Sequence, residues 1–178
     1  NAMWEMRQEF EPTFVPPRDA IKTALASAEF PVVLLDMGDN VGGGSPADGT
    51  TLLTELHGCG ATNAFVCICD PESTTSAIEA GPKAELELTI GAKNDTLHGA
   101  PFKAHFRVLS IHDGKFFETK ARHGGFTQFD QGPTAVVETL DTEIKVMLTT
   151  RRMPPFSLAQ LTSCELAPKL FSIIVAKG

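Results

Sequence analysis

A glycine-rich segment with several acidic side chains is the part of this sequence best suited to chemistry. It covers residues 36–50 and places Asp39, Asn40 and Asp48 around the triple glycine 42–44. A glycine loop at the carboxyl end of a buried strand is where open α/β sheets place ligands. The loop has no Lys or Arg and does not match G-x-G-x-x-G, so a phosphate cradle is disfavoured.

The same loop also has a purely structural interpretation. Glycines such as Gly42 and Gly43 permit close backbone approach, Asn40 closes a turn, and Asp48 or Thr50 caps the following helix. Residue types alone do not decide between a binding loop and a turn, because Asp and Asn are common turn formers.

Two side chains outside the loop are further candidates. His98 lies in the turn-like stretch 94–101, where it acts as a proton donor or substrate contact, or equally well as a turn hydrogen-bonder. Arg151, the first of two adjacent arginines, follows a predicted strand and could pair with a substrate carboxylate or with Asp36; the alternative is an arginine simply solvated at the surface.

A complete metal site within this chain is not expected. The five histidines are scattered, no H-E-x-x-H motif is present, and a zinc site needs three or four convergent ligands. One alternative stays open: a self-sufficient hydrolase in which Asp39, Asp48 and His98 surround a metal of their own. The four cysteines are too sparse for a disulfide scaffold, and we interpret them as reduced, buried side chains.

The elements that must position these residues follow from periodicity. Apolar spacing predicts helices over 19–28, 50–56, 71–81 and 157–164, with Pro16-Pro17 delaying the first. Continuous apolar runs predict strands over 30–37, 63–70 and 171–176, each covered on both faces. Alternating patterns between 84 and 149 predict antiparallel strands, with hairpins at Asp113-Gly114 and around Asp141. The predicted fold is therefore α/β, a mixed three-layer sheet with helices plus an antiparallel β-hairpin lobe at about 84–149.

Length and composition exclude several classes of protein. The 178 residues, 42% apolar and 21% charged, are enough for one compact domain and exclude disordered and fibrous classes. The net charge of -7 disfavours nucleic acid as a partner. No apolar run approaches the length of a membrane span, so no membrane role is expected.

A longer pattern begins with the run Asp36-x-x-Asp39-Asn40-x-Gly42-Gly43-Gly44-x-Pro46-x-Asp48-Gly49-Thr50. Five further segments follow it in order, at 70–72, 91–101, 132–135, 149–155 and 175–177. Together they resemble the C-terminal domain of the microcystinase C (MlrC) family, and the first run is similar to the glycine loop of that family. The sequence departs at Val41, where the family usually has proline, and at Ala47, where glycine is common.

This resemblance implies a zinc-dependent metallopeptidase acting on peptide-like substrates, in the best-known members linearised microcystin. It places the zinc ligands on a larger N-terminal domain of the same polypeptide, with no cofactor on this chain. Asp39, Asn40, Gly42, Gly43, Asp48, His98 and Arg151 would then contact substrate or support the metal ligands. The third possibility is a structural module that serves interdomain packing or homo-oligomerisation.

Two expectations concern boundaries and location. Residues 1–18 are interpreted as a tag remnant and linker, and 19–178 as the α/β domain, because Asn1-Ala2-Met3 looks like a cleavage remnant. Reduced cysteines and the lack of a signal pattern make the cytoplasm the default location, although a signal could have been lost with a longer N-terminus.

Overall fold

A seven-stranded mixed sheet forms the centre of the molecule. The computed structural model describes residues 1–10, 13–121 and 123–178. Its helices are α1 (Ala2–Glu5), α2 (Pro17–Leu25), α3 (Thr51–Gly58), α4 (Pro71–Ala80) and α5 (Ala159–Thr162), with 3₁₀ turns at Arg7–Phe10, His123–Gly125 and Pro168–Leu170. Its strands are β1 (Val32–Asp36), β2 (Ala64–Cys69), β3 (Glu85–Ile90), β4 (Phe102–His112), β5 (Lys115–Phe117), β6 (Gln128–Asp130), β7 (Thr134–Thr139), β8 (Lys145–Thr149) and β9 (Ile173–Lys177).

The sheet combines a parallel half with an antiparallel half. Its strand order is β1-β9-β2-β8-β7-β4-β3, and β5 and β6 form a separate two-stranded antiparallel sheet. The strands β1, β9, β2 and β8 are parallel, whereas β8, β7, β4 and β3 alternate in direction. The predicted α/β class, with a mixed sheet and an additional antiparallel pair, is confirmed.

Helices and connecting segments cover the two faces of the sheet unequally. One face packs against α2, α3 and α4 through apolar side chains that include Ile21, Leu53, Leu56, Ala77, Val66 and Ile173. A smaller core on the other face joins Phe65, Met147 and Val136 to Leu161, Leu166 and Phe171. The predicted three layers are therefore present, but the layer on the second face of the sheet covers only part of that face.

Strand β1 is open on one side, contrary to the prediction that it is covered on both faces. Val32 and Leu34 pack against the main core, but Val33 and Leu35 are 54% and 63% exposed. The reason is position: β1 lies at the edge of the sheet and pairs only with β9 among the described strands. A continuous apolar run indicates a strand but does not tell whether the sequence itself supplies both covering layers.

The strands between residues 84 and 149 differ in arrangement from the prediction. Most of them extend the main sheet, and β5–β6 is the part that stands apart. The hairpin predicted at Asp113-Gly114 is wrong: β4 pairs with β7, while β5 pairs with β6. Gly114 does have a positive φ of 76°, and Asp113 Oδ1 accepts from the Lys115 amide at 3.0 Å. The hairpin around Asp141 is confirmed by the antiparallel pairing of β7 with β8.

Two helices have boundaries that differ from the predicted ones. Helix α2 begins at Pro17 and not at Asp19, because proline is well suited to the first helical position, where its missing N–H is not needed. Helix α5 is shorter than predicted, and the Ser157 hydroxyl accepts a hydrogen bond from the Ala159 amide at 2.9 Å. None of the helices in the described ranges is long and apolar enough to cross a membrane.

Candidate functional site at the glycine loop

The glycine loop connects β1 to α3 and is fixed from below by the carboxylate of Asp39. This side chain is 1% exposed and accepts hydrogen bonds from the Ala47 amide at 2.8 Å and the Gly49 amide at 2.7 Å. Both oxygens point inward, to the loop's own backbone. Asp39 therefore determines the shape of the loop, and the structure does not expose it to a cleft.

A buried lysine completes this internal network. The Lys177 ammonium, at the end of β9, contacts Asp36 Oδ2 at 3.0 Å, Asp39 Oδ2 at 2.8 Å and the Gly49 carbonyl at 3.0 Å. Burial alone would raise the pKa of Asp39, but the Lys177 charge and the amide donors outweigh it, so the pKa is lowered. Asp39 is therefore ionised, and Lys177 ties the ends of β1 and β9 to the loop.

Asp48 links the loop to a second segment that follows β3. Its Oδ2 accepts from the Lys93 amide at 2.9 Å and from the Asn94 amide and side chain at 3.1 and 2.8 Å. Its Oδ1 is buried without a hydrogen-bond partner among the described residues. The expected helix cap is wrong, because Asp48 turns toward residues 93–94 and the Thr50 hydroxyl donates to the Ala100 carbonyl at 2.6 Å.

The exposed part of the loop is glycine backbone. Asn40 Oδ1 accepts from the Gly43 amide at 2.7 Å, which confirms that Asn40 closes a turn. Gly42, Gly43 and Gly44 are exposed above it. At Gly49 the close approach is a requirement, since an added Cβ would lie 2.8 Å from Asp39 Oδ2. The loop thus presents bare peptide groups over a rigid, buried base.

Asp70 and Lys93 brace the neighbouring edge of the site. Asp70 caps α4 by accepting from the Ser73 amide at 3.0 Å, and it also accepts from the Gly91 amide at 2.9 Å. The Lys93 ammonium contacts Asp70 at 3.1 Å and Glu72 at 2.8 Å. Burial would raise the pKa of Asp70, but these donors lower it.

His98 lies beside the loop and is paired with a carboxylate that the sequence analysis did not select. Its Nδ1 is 2.8 Å from both oxygens of Asp95, and its backbone carbonyl accepts from the Thr50 amide at 2.9 Å. The hydrogen bond to Asp95 raises the pKa of His98 and lowers that of Asp95. Asp95 lies three residues before His98 in the same turn-like stretch, and this spacing could have pointed to the pair. A carboxylate often orients a histidine ring at functional sites.

Of the two adjacent arginines, the structure brings the second to the loop. Arg151 forms an ion pair with Asp130 at 2.5 Å, and Asp36 is paired with Lys177, so the possible pairing of Arg151 with Asp36 is not formed. Arg152 Nη1 instead approaches the carbonyls of Gly44 and Ser45 at 3.4 and 3.2 Å. Consecutive residues leave a strand end in different directions, and a sequence pattern does not tell which one turns to the loop.

A metal ion does not fit the side chains gathered here. The Asp39 and Asp70 carboxylates already accept hydrogen bonds from N–H groups and from lysine ammonium groups. Asp48 Oδ2 already accepts hydrogen bonds from amides. Within the described ranges no group of three His, Cys, Asp or Glu side chains is placed to hold a metal. Asp39, Asp48 and His98 therefore do not form the metal site that a self-sufficient hydrolase would need.

Two cavities adjoin the loop at the carboxyl ends of the parallel strands. The first, about 330 Å³, is mainly apolar and runs along the open sheet face beneath residues 153–161. The second, about 320 Å³, lies between the glycine loop, the start of α4 and Arg152. Cys69 lines both, and Cys67 lines the first. Burial raises the pKa of Cys67 to about 12, so it is not a thiolate nucleophile.

A protein-family comparison matches most of the chain. The family model described as "MlrC C-terminus" aligns with residues 34–178. These include the glycine loop, every candidate site residue and, except for Val33, the residues that line the two cavities.

Two relatives show how the matched region compares with longer proteins. Microcystinase C from Sphingomonas sp. is 29% identical over 96 residues, covering 51% of this chain and 18% of the relative. A crystal structure called "Putative metallopeptidase" from Mesorhizobium sp. BNC1 superposes with a TM-score of 0.83 at 24% identity. It matches 98% of this chain, which corresponds to 34% of its own length. The chain thus spans well under half of each relative.

Proposed function

Because the chain belongs to the MlrC C-terminus family, we propose that it is the C-terminal domain of a metallopeptidase and forms one wall of its active-site cleft. The metal, which we propose is zinc, is held by an N-terminal domain of the same polypeptide, and the substrate is peptide-like. This chain supplies the glycine loop and the residues around it. The names of the two relatives and the fraction of their length that the chain spans support the proposal.

The observation that carries the proposal is the contrast between the two sides of the loop. Asp39 and Lys177 fix its buried side with four polar contacts between 2.7 and 3.0 Å. The opposite side exposes three consecutive glycines at the carboxyl edge of the sheet. The Gly43 and Gly44 amides already donate to Asn40 and Val41, so the loop would meet an extended substrate mainly through its carbonyls, which each have two lone pairs. Groups held in place in this way can pair with a substrate backbone without reorganising.

In this mechanism the chain binds and orients substrate, and the metal lies on the preceding domain. The metal, when bound to the preceding domain, would polarise the scissile carbonyl or activate water. Asn40 and the glycine backbone would align the substrate's main chain. His98, held by Asp95 through Nδ1, is oriented to exchange a proton or donate a hydrogen bond from its other ring nitrogen.

A glycine substitution on the exposed side tests the cleft role. Gly43→Ala adds a methyl group that meets Asn40 atoms at 3.4 Å, an ordinary contact, so the fold should persist. In the full-length protein we expect kcat/KM for a peptide substrate to fall roughly tenfold or more, a typical cost of misplacing a substrate. Gly58→Ala, with no atom within 4 Å of the added group, is the matched control.

Unchanged turnover in Gly43→Ala would favour the alternative, a module for interdomain packing with no direct catalytic role. That alternative has one supporting observation, the exposed apolar face of β1.

The cytoplasmic location is part of the proposal and is tested by fractionation of cells that express the full-length protein.

Metal analysis separates this division of labour from a self-contained enzyme. We expect the purified 178-residue chain, equilibrated with zinc and desalted, to retain no stoichiometric zinc, and the full-length protein to retain it. A chain that binds one zinc tightly would contradict the proposal and direct attention to Asp48 and His98.

A further inference from the structure

Arg152 is a cation at the edge of the glycine loop that has no carboxylate partner within the described ranges. Its contacts to Gly44 and Ser45, at 3.4 and 3.2 Å, are at the long end of the hydrogen-bond range, and its side chain is exposed. The neighbouring cations differ, since Arg151, Lys93 and Lys177 each form an ion pair at 3.1 Å or less. The guanidinium therefore keeps donors available for a ligand.

The second cavity gives that ligand a defined place. It is lined by Gly44, Pro46, Cys69, Pro71, Asn94 and Arg152. Asn94 is held in position by Asp48, whose Oδ2 accepts hydrogen bonds from the backbone amide and the side-chain amide of Asn94. The glycine loop thus forms one wall of the cavity and the start of α4 forms another. Arg152 supplies the positive charge among the lining residues.

The first cavity adjoins the second at Cys69, which lines both. Of two consecutive residues, Arg152 lines the second cavity and Met153 lines the first. The first cavity is formed mainly by apolar side chains such as Phe65, Pro155, Phe156 and Leu161, with Gln160 and Lys177 among its polar ones. Its volume of about 330 Å³ is within the range of small-molecule sites.

We propose that the two cavities form one site for a peptide that carries a carboxylate next to an apolar side chain. Arg152 binds the carboxylate and the apolar cavity takes the side chain. This inference rests on the proposed function for the peptide nature of the ligand, and it adds which substrates are preferred. A singly charged carboxylate suits the site better than a phosphate dianion, because Asp48, Asp70 and Glu72 lie nearby in a chain of net charge -7.

The test is direct binding to the 178-residue chain, followed by NMR of backbone amides. The probes are N-acetyl-Ala-Phe with a free carboxylate, the same peptide as its amide, N-acetyl-Ala-Ala, and N-acetyl-Phe-Asp-amide. We expect shifts at Gly44, Cys69 and Asn94 with the free carboxylate, and at least tenfold weaker binding of the amide. The Asp probe tells whether a side-chain carboxylate serves as well as a terminal one. N-acetyl-Ala-Ala tests the apolar cavity, where loss of the phenyl ring should weaken binding severalfold.

Arg152→Gln should reduce binding of the free carboxylate to that of the amide, whereas Arg151→Gln should change it less than twofold. Arg152→Lys keeps the charge without the planar fork and should give an intermediate affinity. Equal binding of carboxylate and amide, or equal effects of the two Gln variants, would overturn the inference. Because the readout is binding, a full-length protein that fails to cleave peptides would refute the proposed function and leave this site standing.

Discussion

At the scale of single residues, Lys177 organises the base of the glycine loop. Its side chain is 4% exposed, and its ammonium lies between the carboxylates of Asp36, at the end of β1, and Asp39, in the loop that follows. We predict that Lys177→Met destabilises the chain by about 3 to 5 kcal/mol near pH 7, because it leaves buried charges unpaired. Chemical denaturation followed by circular dichroism measures this.

The pH dependence of that loss has a definite sign. The folded-state pKa of Asp39 lies below its ordinary value of 3.8, so its contribution is present above that value and is lost as pH falls through the lowered pKa. In Lys177→Met, protonation of Asp39 relieves the buried charge. The difference between the two proteins should therefore shrink near pH 4, and a difference that grows on acidification would contradict this assignment.

His98 provides a second titration. The bond to Asp95 raises the pKa of His98 above its ordinary value of 6.5. The stability that this pair contributes is present below the unfolded value and is lost as pH rises through the raised pKa. Histidine NMR should show the raised pKa of His98 in the unsubstituted chain and a lower one in Asp95→Asn. If the pKa of His98 is the same in Asp95→Asn as in the unsubstituted chain, the pairing is refuted.

Close packing at Gly49 gives a third residue-level prediction. A methyl group there would lie 2.8 Å from Asp39 Oδ2 and 3.2 Å from its Cβ. Gly49→Ala should cost about 1 to 3 kcal/mol in unfolding free energy, as overpacking does, whereas Gly58→Ala should cost nothing. Parallel urea titrations of the two variants compare them, and equal stability would show that the loop adjusts freely.

The candidate site was partly predictable at this scale. The turn role offered for Asn40 as one alternative is confirmed, whereas its contact with substrate stays a prediction. Asp39 was expected to face a cleft, yet it accepts from amides 8 and 10 residues later, and such contacts leave no local pattern. Lys177 could have been found, because it follows Ile173 and Val175 on the buried side of β9.

At the scale of elements, Asp70 joins α4 to the end of β3. It caps the helix and receives the Gly91 amide, so one carboxylate holds two elements together. Asp70→Asn should cost about 1 to 3 kcal/mol and increase hydrogen exchange at Ser73 and Gly91. Glu72→Gln, which removes the exposed partner of the same lysine, should cost about 0.5 kcal/mol or less. Equal exchange in the two variants would contradict the bridging role.

Element types were easier to predict than their partners. Periodicity identified the parallel strands, the main helices and the β7–β8 hairpin. It failed at Asp113-Gly114, where a good turn sequence does not lead back to the preceding strand. Turn chemistry is local, whereas strand pairing depends on the whole set of available edges, so the choice of β6 as the partner of β5 had no local signal.

At the scale of the whole molecule, the two edges of the main sheet differ. At β3, Glu85 and Glu87 pair with Arg107 and Lys103, so charge protects that edge. At β1, the outward side chains are apolar. An unprotected apolar edge favours association, either with the remainder of a longer polypeptide or with another copy of the chain.

This asymmetry predicts the behaviour of the isolated chain. We expect concentration-dependent self-association in sedimentation velocity, reduced by Leu35→Lys, with little change in melting temperature because Leu35 is 63% exposed. Leu34→Lys places the charge against the main core and should instead unfold the chain. If Leu35→Lys leaves association unchanged, a different surface is responsible.

The place of β9 in the sheet also governs the order in which the chain can become structured. The final strand of the sequence lies between the first two, and β1 has its described pairing with β9 alone. During synthesis, β1 and the glycine loop therefore cannot be anchored until Lys177 has been made, 141 residues after its partner Asp36. A chain cut before β9 would lack both the neighbour of β1 and the Lys177 ammonium, so its glycine loop would not be ordered.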